Sequence, residues 1–353
     1  PRSPPHSPCS PMSASPLRVV QYGLGPIGQA AARAVCTKPE AYRLVGAIDI
    51  DPDKVGRDVA EVAALDTPAG VAVADDPDAV LAAADPDVVL HTTTSALDEV
   101  AAQLVRCARA GAHVVSSTEE LSFPHRQAPA TAERLDRVAR EEGVVLVGTG
   151  VNPGYAMDTL PLVATGGCTD VEALRVTRVV EAGARRAPLQ KKVGAGCSVE
   201  AFEEGAEDGA FGHVGLRESL QMVAHGLGWP LDRLDTEMRP ITADAPVETE
   251  VLQVAAGEVA GIHQTATGVV GGRPRVHLAL KMYVGAPESY DAVEVDGTPP
   301  IDLRVRGGVF GDTATVGLLV NTAPLAADAS PGLRTMTELP VPRAAATSPN
   351  DAT

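Results

Sequence analysis

The chain has 353 residues, long enough for two domains with separate cores. Its 44% hydrophobic and 21% charged residues are those of a folded globular protein, and a net charge of −17 with no Lys/Arg block argues against nucleic acid and anionic membrane surfaces as partners. Cys9, Cys36, Cys107, Cys168 and Cys197 are scattered, with no Cys-x-x-Cys pair and no histidine at ligand spacing, which predicts reduced thiols and no structural metal.

Residues 1–16 are Pro/Ser-rich and read as a disordered tail, as do residues 343–353. There is no secretory signal pattern and no apolar run near the ~20 residues that span a bilayer, so the expected compartment is the cytoplasm. From Leu17 the pattern alternates. LRVVQYG, YRLVGAIDI, DVVLHTT, HVVSST and VVLVGTG read as buried strands. IGQAAARAV, the DAVLAAA region, ALDEVAAQLVRCARAG and ATAERLDRVAREEG read as the helices between them. This βαβ rhythm predicts an α/β fold over 17–150, a Rossmann-type doubly wound parallel sheet covered on both faces.

After Gly150 the rhythm changes. ALRVTRVVEA, VETEVLQVAAGEVAGIHQTATGVVG, RVHLALKMYVG and IDLRVRGGV alternate like strands with turns between them, interrupted by helices at VEAFEEGAEDG and LRESLQMVAHGLG. A second α+β domain over 151–310 follows, which would handle substrate. The apolar run TATVGLLVNTAPLAA predicts a helix at about 311–340 that packs back on the first domain.

YGLGPIGQ carries Gly23, Gly25 and Gly28 as G-x-G-x-x-G, directly after a strand and opening a helix, with Pro26 and Ile27 inside the turn. Gly23 permits the tight turn, Gly25 lets the backbone approach a pyrophosphate, and Gly28 lets helix and strand pack closely. The anion then sits on a helix N-terminus. Asp49 ends the second strand, where a carboxylate accepts from the ribose hydroxyls and repels a 2′-phosphate. NAD is therefore favoured, while nearby Lys54 and Arg57 leave dual use of NAD and NADP open. Thr92 and Thr93, at the end of a strand, either line the nicotinamide side or belong to a polar turn capped by Thr94 or Ser95.

VVSSTEELSFP puts Glu119 and Glu120 at the carboxyl edge of the sheet, beside the expected nicotinamide. In a site with little water a carboxylate can hold an ammonium or iminium group and exchange protons with it. Each acid is equally readable as a solvated loop residue, and one of the two can cap the following turn.

The runs YGLGPIGQ, SSTEELSFP, GTGVNPGYAMDTLP, QKKVGAGCSVEAFEEG, GHVGLRESLQMVAHGLGW and GDTATVGLLVNTAPLAADASPGLRTM resemble the 2,4-diaminopentanoate dehydrogenase and native amine dehydrogenase group, related to dihydrodipicolinate reductase. The resemblance spans Leu17 to about Pro342. It implies a Rossmann domain, an α+β domain that also builds a homodimer, and NAD(P)-linked deamination of a small amine or its reverse from a ketone or aldehyde and ammonia. It puts the catalytic glutamate within STEEL. Alignment with the Glu-Lys-Pro of sugar-type oxidoreductases favours Glu120, with Glu119 the alternate. Asn152 would reach the nicotinamide carboxamide or ribose. Tyr155 and Met157 would wall the substrate pocket, and Asp158 fits a helix start better than a chemical role. His213 in FGHVG is a pocket candidate, although a lone histidine is more often a packing residue.

Lys191 and Lys192 precede the glycine-rich loop VGAG. The double histidine and Lys-x-Asp-Ala-Pro-Ser-Gly run of dihydrodipicolinate reductase are missing, which argues against its dicarboxylate substrate. Two other readings stay open: an imine or carbonyl reductase indifferent to ammonia, and a nucleotide sensor without turnover.

Overall fold

Val19 and Val20 explain in two residues why the first half of the chain folds as it does. Neighbouring side chains on a strand point to opposite faces, yet both valines are fully buried, each in a different apolar cluster. Only a sheet covered on both sides satisfies that.

The computed structural model describes residues 15–185 and 187–344. Cys9 and nearly all of both expected tails lie outside them. The first domain contains β1 (Leu17–Tyr22), α1 (Pro26–Cys36), β2 (Tyr42–Ile48), α2 (Val59–Val62), β3 (Val73–Ala74), α3 (Pro77–Ala84), β4 (Val88–His91), α4 (Leu97–Arg109), β5 (His113–Ser116), a 3-10 turn (Glu119–Ser122), α5 (Pro129–Glu141) and β6 (Val145–Gly148). The second contains α6 (Thr159–Thr165), β7 (Asp170–Glu181), α7 (Ala187–Lys192), α8 (Val199–Glu207), α9 (Leu216–Gly226), β8 (Arg233–Thr242), β9 (Val247–Glu248), β10 (Gln253–Val254), β11 (Val259–Val270), β12 (Arg273–Tyr283), β13 (Tyr290–Thr298) and β14 (Ile301–Arg306). The chain then returns to the first domain with α10 (Gly311–Asp328) and β15 (Gly332–Arg334).

The first sheet runs β15-β6-β5-β4-β1-β2-β3 with every neighbouring pair parallel. Without β15 this is the doubly wound order, whose strand ends form a ligand crevice where the order reverses beside β1. Side chains from α3, α4 and α5 cover the Val20 face, and those from α1 and α10 cover the Val19 face. Leu318, Leu319 and Val320 of α10 are consecutive and all buried. A helix apolar around its circumference must be enclosed, and α10 lies against α1, β4 and β5, with the Tyr42 hydroxyl donating to the Val320 carbonyl at 3.0 Å. It ends at Asp328, short of the expected 340. Gly332–Arg334 pairs with β6 instead, which takes the chain out of the helix and into the first sheet.

The second sheet has the order β14-β13-β7-β12-β11-β8, antiparallel except for the β7–β12 pair. Leu216, Leu220 and Val223 of α9 pack on one face against Leu174, Val176, Leu278 and Val293. The long strand-like stretch VETEVLQVAAGEVAGIHQTATGVVG is divided: β9 and β10 form a short hairpin and β11 begins only at Val259. No helix among the described residues is long and apolar enough to cross a membrane.

Candidate active site

The glycine turn at the end of β1 is shaped by contacts that leave no room for side chains. Gly23 has φ +88°, and a Cβ there would stand 2.5 Å from the Thr92 carbonyl oxygen. A Cβ on Gly28 would collide with the Gly23 carbonyl. Gly25 differs, because a Cβ there would meet nothing within 4 Å. Gly25 is the N-cap of α1, has no side-chain partner and is followed by Pro26, so the first amides of the helix face open space. That cradle fits a dinucleotide pyrophosphate.

Asp49 braces this turn from behind. Its Oδ2 accepts from the Leu24 amide at 2.6 Å and its Oδ1 from the Asp51 amide at 2.9 Å. Lys54 Nζ lies 3.4 Å from Asp49 Oδ2 and 3.0 Å from Asp51 Oδ2. Thr92 is also a brace: it is buried, donates to the Gly23 carbonyl at 2.9 Å and accepts from Gln21 Nε2 at 2.8 Å.

A cavity of about 350 Å³ opens beside the turn, between the domains. It brings together Gly25, Pro26, Ile27, Thr92, Thr93, Glu119, Asn152 and His213. Asp49, Glu120, Tyr155 and Met157 are not in its lining. Met157 is fully buried in the α9 core with Leu216 and Leu220, and Tyr155 is partly buried outside the cavity wall. Neither walls the cavity. The turn that carries them is held by Asp158, whose Oδ1 and Oδ2 accept from the Thr159 and Gly154 amides at 2.6 and 2.8 Å.

The two adjacent glutamates part company. Helix α4 starts at Ala96, which offers no capping side chain, and Glu120 Oε2 accepts from the Leu97 amide at 2.7 Å. Glu120 therefore caps α4, as a carboxylate does when it meets unpaired amides and the positive end of a helix dipole. The geometry thus runs against the preference for Glu120, and against Thr94 or Ser95 as caps. Glu119, one residue earlier on the 3-10 turn, lines the cavity. Burial raises its pKa, while a hydrogen bond from Ser95 and the charge of Lys192 pull it back.

His213 lines the same cavity, its backbone clamped by the Gln264 amide: N–H to Oε1 at 2.9 Å, carbonyl from Nε2 at 3.0 Å. Asn152 Nδ2 lies 3.1 Å from His213 Nε2, and Ser219 Oγ lies 3.2 Å from Asn152 Oδ1. Burial first, then the charges of Lys192 and Arg178, push the His213 pKa down to about 3. The imidazole is neutral at physiological pH.

Arg178, Arg185, Ile262 and Met282 also line the cavity, and sequence reasoning did not single them out. Arg178 carried a usable signal. An arginine inside the apolar run VTRVVE is kept only with a partner, here Asp291 at 2.5 Å.

Residues 155–353 match the 2,4-diaminopentanoate dehydrogenase C-terminal domain. The chain belongs to that family. Residues 17–147 match the dihydrodipicolinate reductase N-terminus. The family chain is 36% identical over 239 residues to a 2,4-diaminopentanoate dehydrogenase from Acetoanaerobium sticklandii, spanning 66% of this chain and 67% of that one. It is 28% identical to an amine dehydrogenase from Streptomyces virginiae over 92% of this chain and 96% of the relative. The amine dehydrogenase structure from Mycobacterium smegmatis superposes with a TM-score of 0.83 at 26% identity, over 94% of this chain and 98% of that one.

Proposed function

We propose that this chain is an NAD(P)-dependent amine dehydrogenase, which oxidises a small primary amine to its ketone or aldehyde with release of ammonia and runs the reverse reductive amination. The observation that carries the reading is Glu119, a partly desolvated carboxylate in the same cavity as the Gly25 turn. Likeness to two dehydrogenases named for amine substrates supports the substrate class.

Bound NAD(P) would accept hydride from the amine carbon in one direction and return it in the other. A primary amine arrives as its ammonium ion. Glu119 takes one N–H proton and passes it to solvent, leaving a lone pair that assists hydride loss. The ionised carboxylate then offsets the charge of the iminium ion, an effect strengthened where water is scarce. Water adds to the iminium carbon and gives its proton to Glu119; that proton returns to nitrogen, and Glu119 then takes the hydroxyl proton as ammonia leaves and the carbonyl forms. Neutral His213 adds no positive charge beside the iminium. Asp49, acidic and braced against the turn, favours NAD over NADP, and Lys54 tempers that preference.

The test is nicotinamide oxidation with a ketone panel, with and without ammonia. Ammonia-dependent turnover supports the reading. Ammonia-independent reduction would make the chain a carbonyl reductase, and absence of turnover across the panel would leave a nucleotide sensor.

A further inference from the structure

Helix α4 begins without help from the residues just ahead of it. Ala96 has no capping side chain, and Ser95, a residue type that commonly caps, leaves the Leu97 amide to Glu120 Oε2. The Ser95 hydroxyl is engaged elsewhere: it donates to the Glu119 carboxylate. Ser95 and Glu119 both line the cavity, and both are partly buried.

The backbones of the two loops are zipped together around this contact. Thr118, fully buried, donates from Oγ1 to the Thr94 carbonyl at 2.8 Å, and the Glu120 amide donates to the Ser95 carbonyl at 3.3 Å. On its other side Glu119 meets the start of α9, where a Cβ added to Gly215 would stand 3.3 Å from the Glu119 Cβ. The main chain of Glu119 is thus fixed, while its side chain keeps several rotors of its own. The positive end of α4 attracts either of the adjacent carboxylates. A donor on the cavity side is what separates them.

We infer that Ser95 is the positioning residue for Glu119: its hydroxyl ties that carboxylate to the cavity wall while Glu120 closes the helix, and so decides which of two adjacent acids meets the substrate amine. The inference rests on the amine reading of the same cavity. The tether also acts on ionisation, because a hydrogen bond to the charged form favours it. The charged groups around Glu119 are Lys192 on α7, which lowers its pKa, Glu120 beside it, which raises it, and Glu218 in the first turn of α9, whose own pKa Glu119 raises. All three are unchanged in Ser95 variants, so a shift at Glu119 reports the hydroxyl.

Ser95→Ala removes the donor, Ser95→Thr keeps it, and Ser95→Cys fills the space with a weak one. With 2-aminopentane and NAD+, the acid limb of kcat should move to higher pH by about one unit in Ser95→Ala, a tenfold change in ionisation for one lost charge-assisted bond. Above that limb kcat should stay roughly tenfold low because the carboxylate is misplaced, while KM for NAD+ hardly changes. Ser95→Thr should restore both. Ser95→Cys should fall between, and it takes the place of Ser95→Ala if that variant does not fold. In parallel, isotope-edited carboxyl NMR of glutamate-labelled protein, with Glu119→Gln identifying the signal, should show the same shift with no substrate present. An unmoved Glu119 titration in folded Ser95→Ala overturns the inference, whatever the Tm. So does a Ser95→Thr protein as impaired as Ser95→Ala, which would make the effect one of packing. If 2-aminopentane and a wider amine panel go unoxidised while the NMR titration still follows Ser95, the amine reading fails and the tether stands. Amine turnover with no dependence on Ser95 removes the tether alone.

Discussion

Glu120 Oε2 takes the Leu97 amide at 2.7 Å, closing a helix start that Ala96 leaves uncapped. Glu120→Ala should therefore lower stability by about 0.5–2 kcal/mol, the range for a lost N-terminal cap. Denaturant unfolding measures it. Turnover at saturating substrate should change by only a few-fold, and a collapse of turnover in a folded Glu120→Ala protein would return the chemical role to Glu120.

Glu119→Gln keeps the shape and removes the charge. Turnover should fall by roughly a hundredfold or more, as for other groups that stabilise transition-state charge. NAD affinity by titration should barely move. The raised Glu119 pKa adds a pH signature: oxidative turnover in wild type climbs as this carboxyl ionises, on the alkaline side of the ordinary glutamate range, and Glu119→Gln should lose that limb.

Gly25 and Gly28 should behave oppositely. A Cβ at Gly25 meets nothing in the protein, so Gly25→Val should fold with nearly the wild-type Tm and lose NAD and NADP binding. A Cβ at Gly28 runs into the Gly23 carbonyl, so Gly28→Ala should lower the Tm itself. Thermal unfolding with and without cofactor separates the two effects.

Asp49→Ser removes both a negative charge and the brace on the Leu24 amide. The ratio of NADP to NAD efficiency should rise, while the affinity for NAD falls because the turn loses its support. If that ratio stays constant, Asp49 acts on the turn alone.

Glu218, 4% exposed in the first turn of α9, has its pKa raised to about 7 by burial, with Glu120 and Glu119 adding to the shift and Arg217 opposing it. The folded state therefore holds a proton that the unfolded chain releases between 4.5 and about 7, and stability falls as pH rises through that window. Glu218→Gln should stabilise by on the order of 2–3 kcal/mol above about pH 8 and by almost nothing below about pH 4.5. Chemical denaturation across pH reads the difference.

The first domain was legible because its signals are local: glycines demanded by a turn, and strand runs buried on both faces. The site was legible only as far as strand ends. Glu119 and Glu120 are adjacent, and which one enters the cavity depends on Ala96 being a poor cap far away in sequence. Met157 looked like a pocket wall because apolar residues near a cleft and in a core have the same composition. In the second domain β8 and β13 were missed. Arg233, Asp235, Glu237 and Arg239 alternate along β8 as an exposed row, and charge on an edge strand reads as loop when the partner strand is unknown.

Because α10 and β15 follow the whole second sheet in the chain, the domain that begins first is completed after the second. On the ribosome, β1 through β6 emerge long before α10, and until it arrives Val19, Val88, Leu90 and Val115 lack the helix that shields them. The second domain has every strand of its own sheet by Arg306 and can close earlier. The nascent protein thus carries an open apolar face while the whole second domain is made, a demand on chaperones that a circular permutant placing α10 ahead of β1 would relieve.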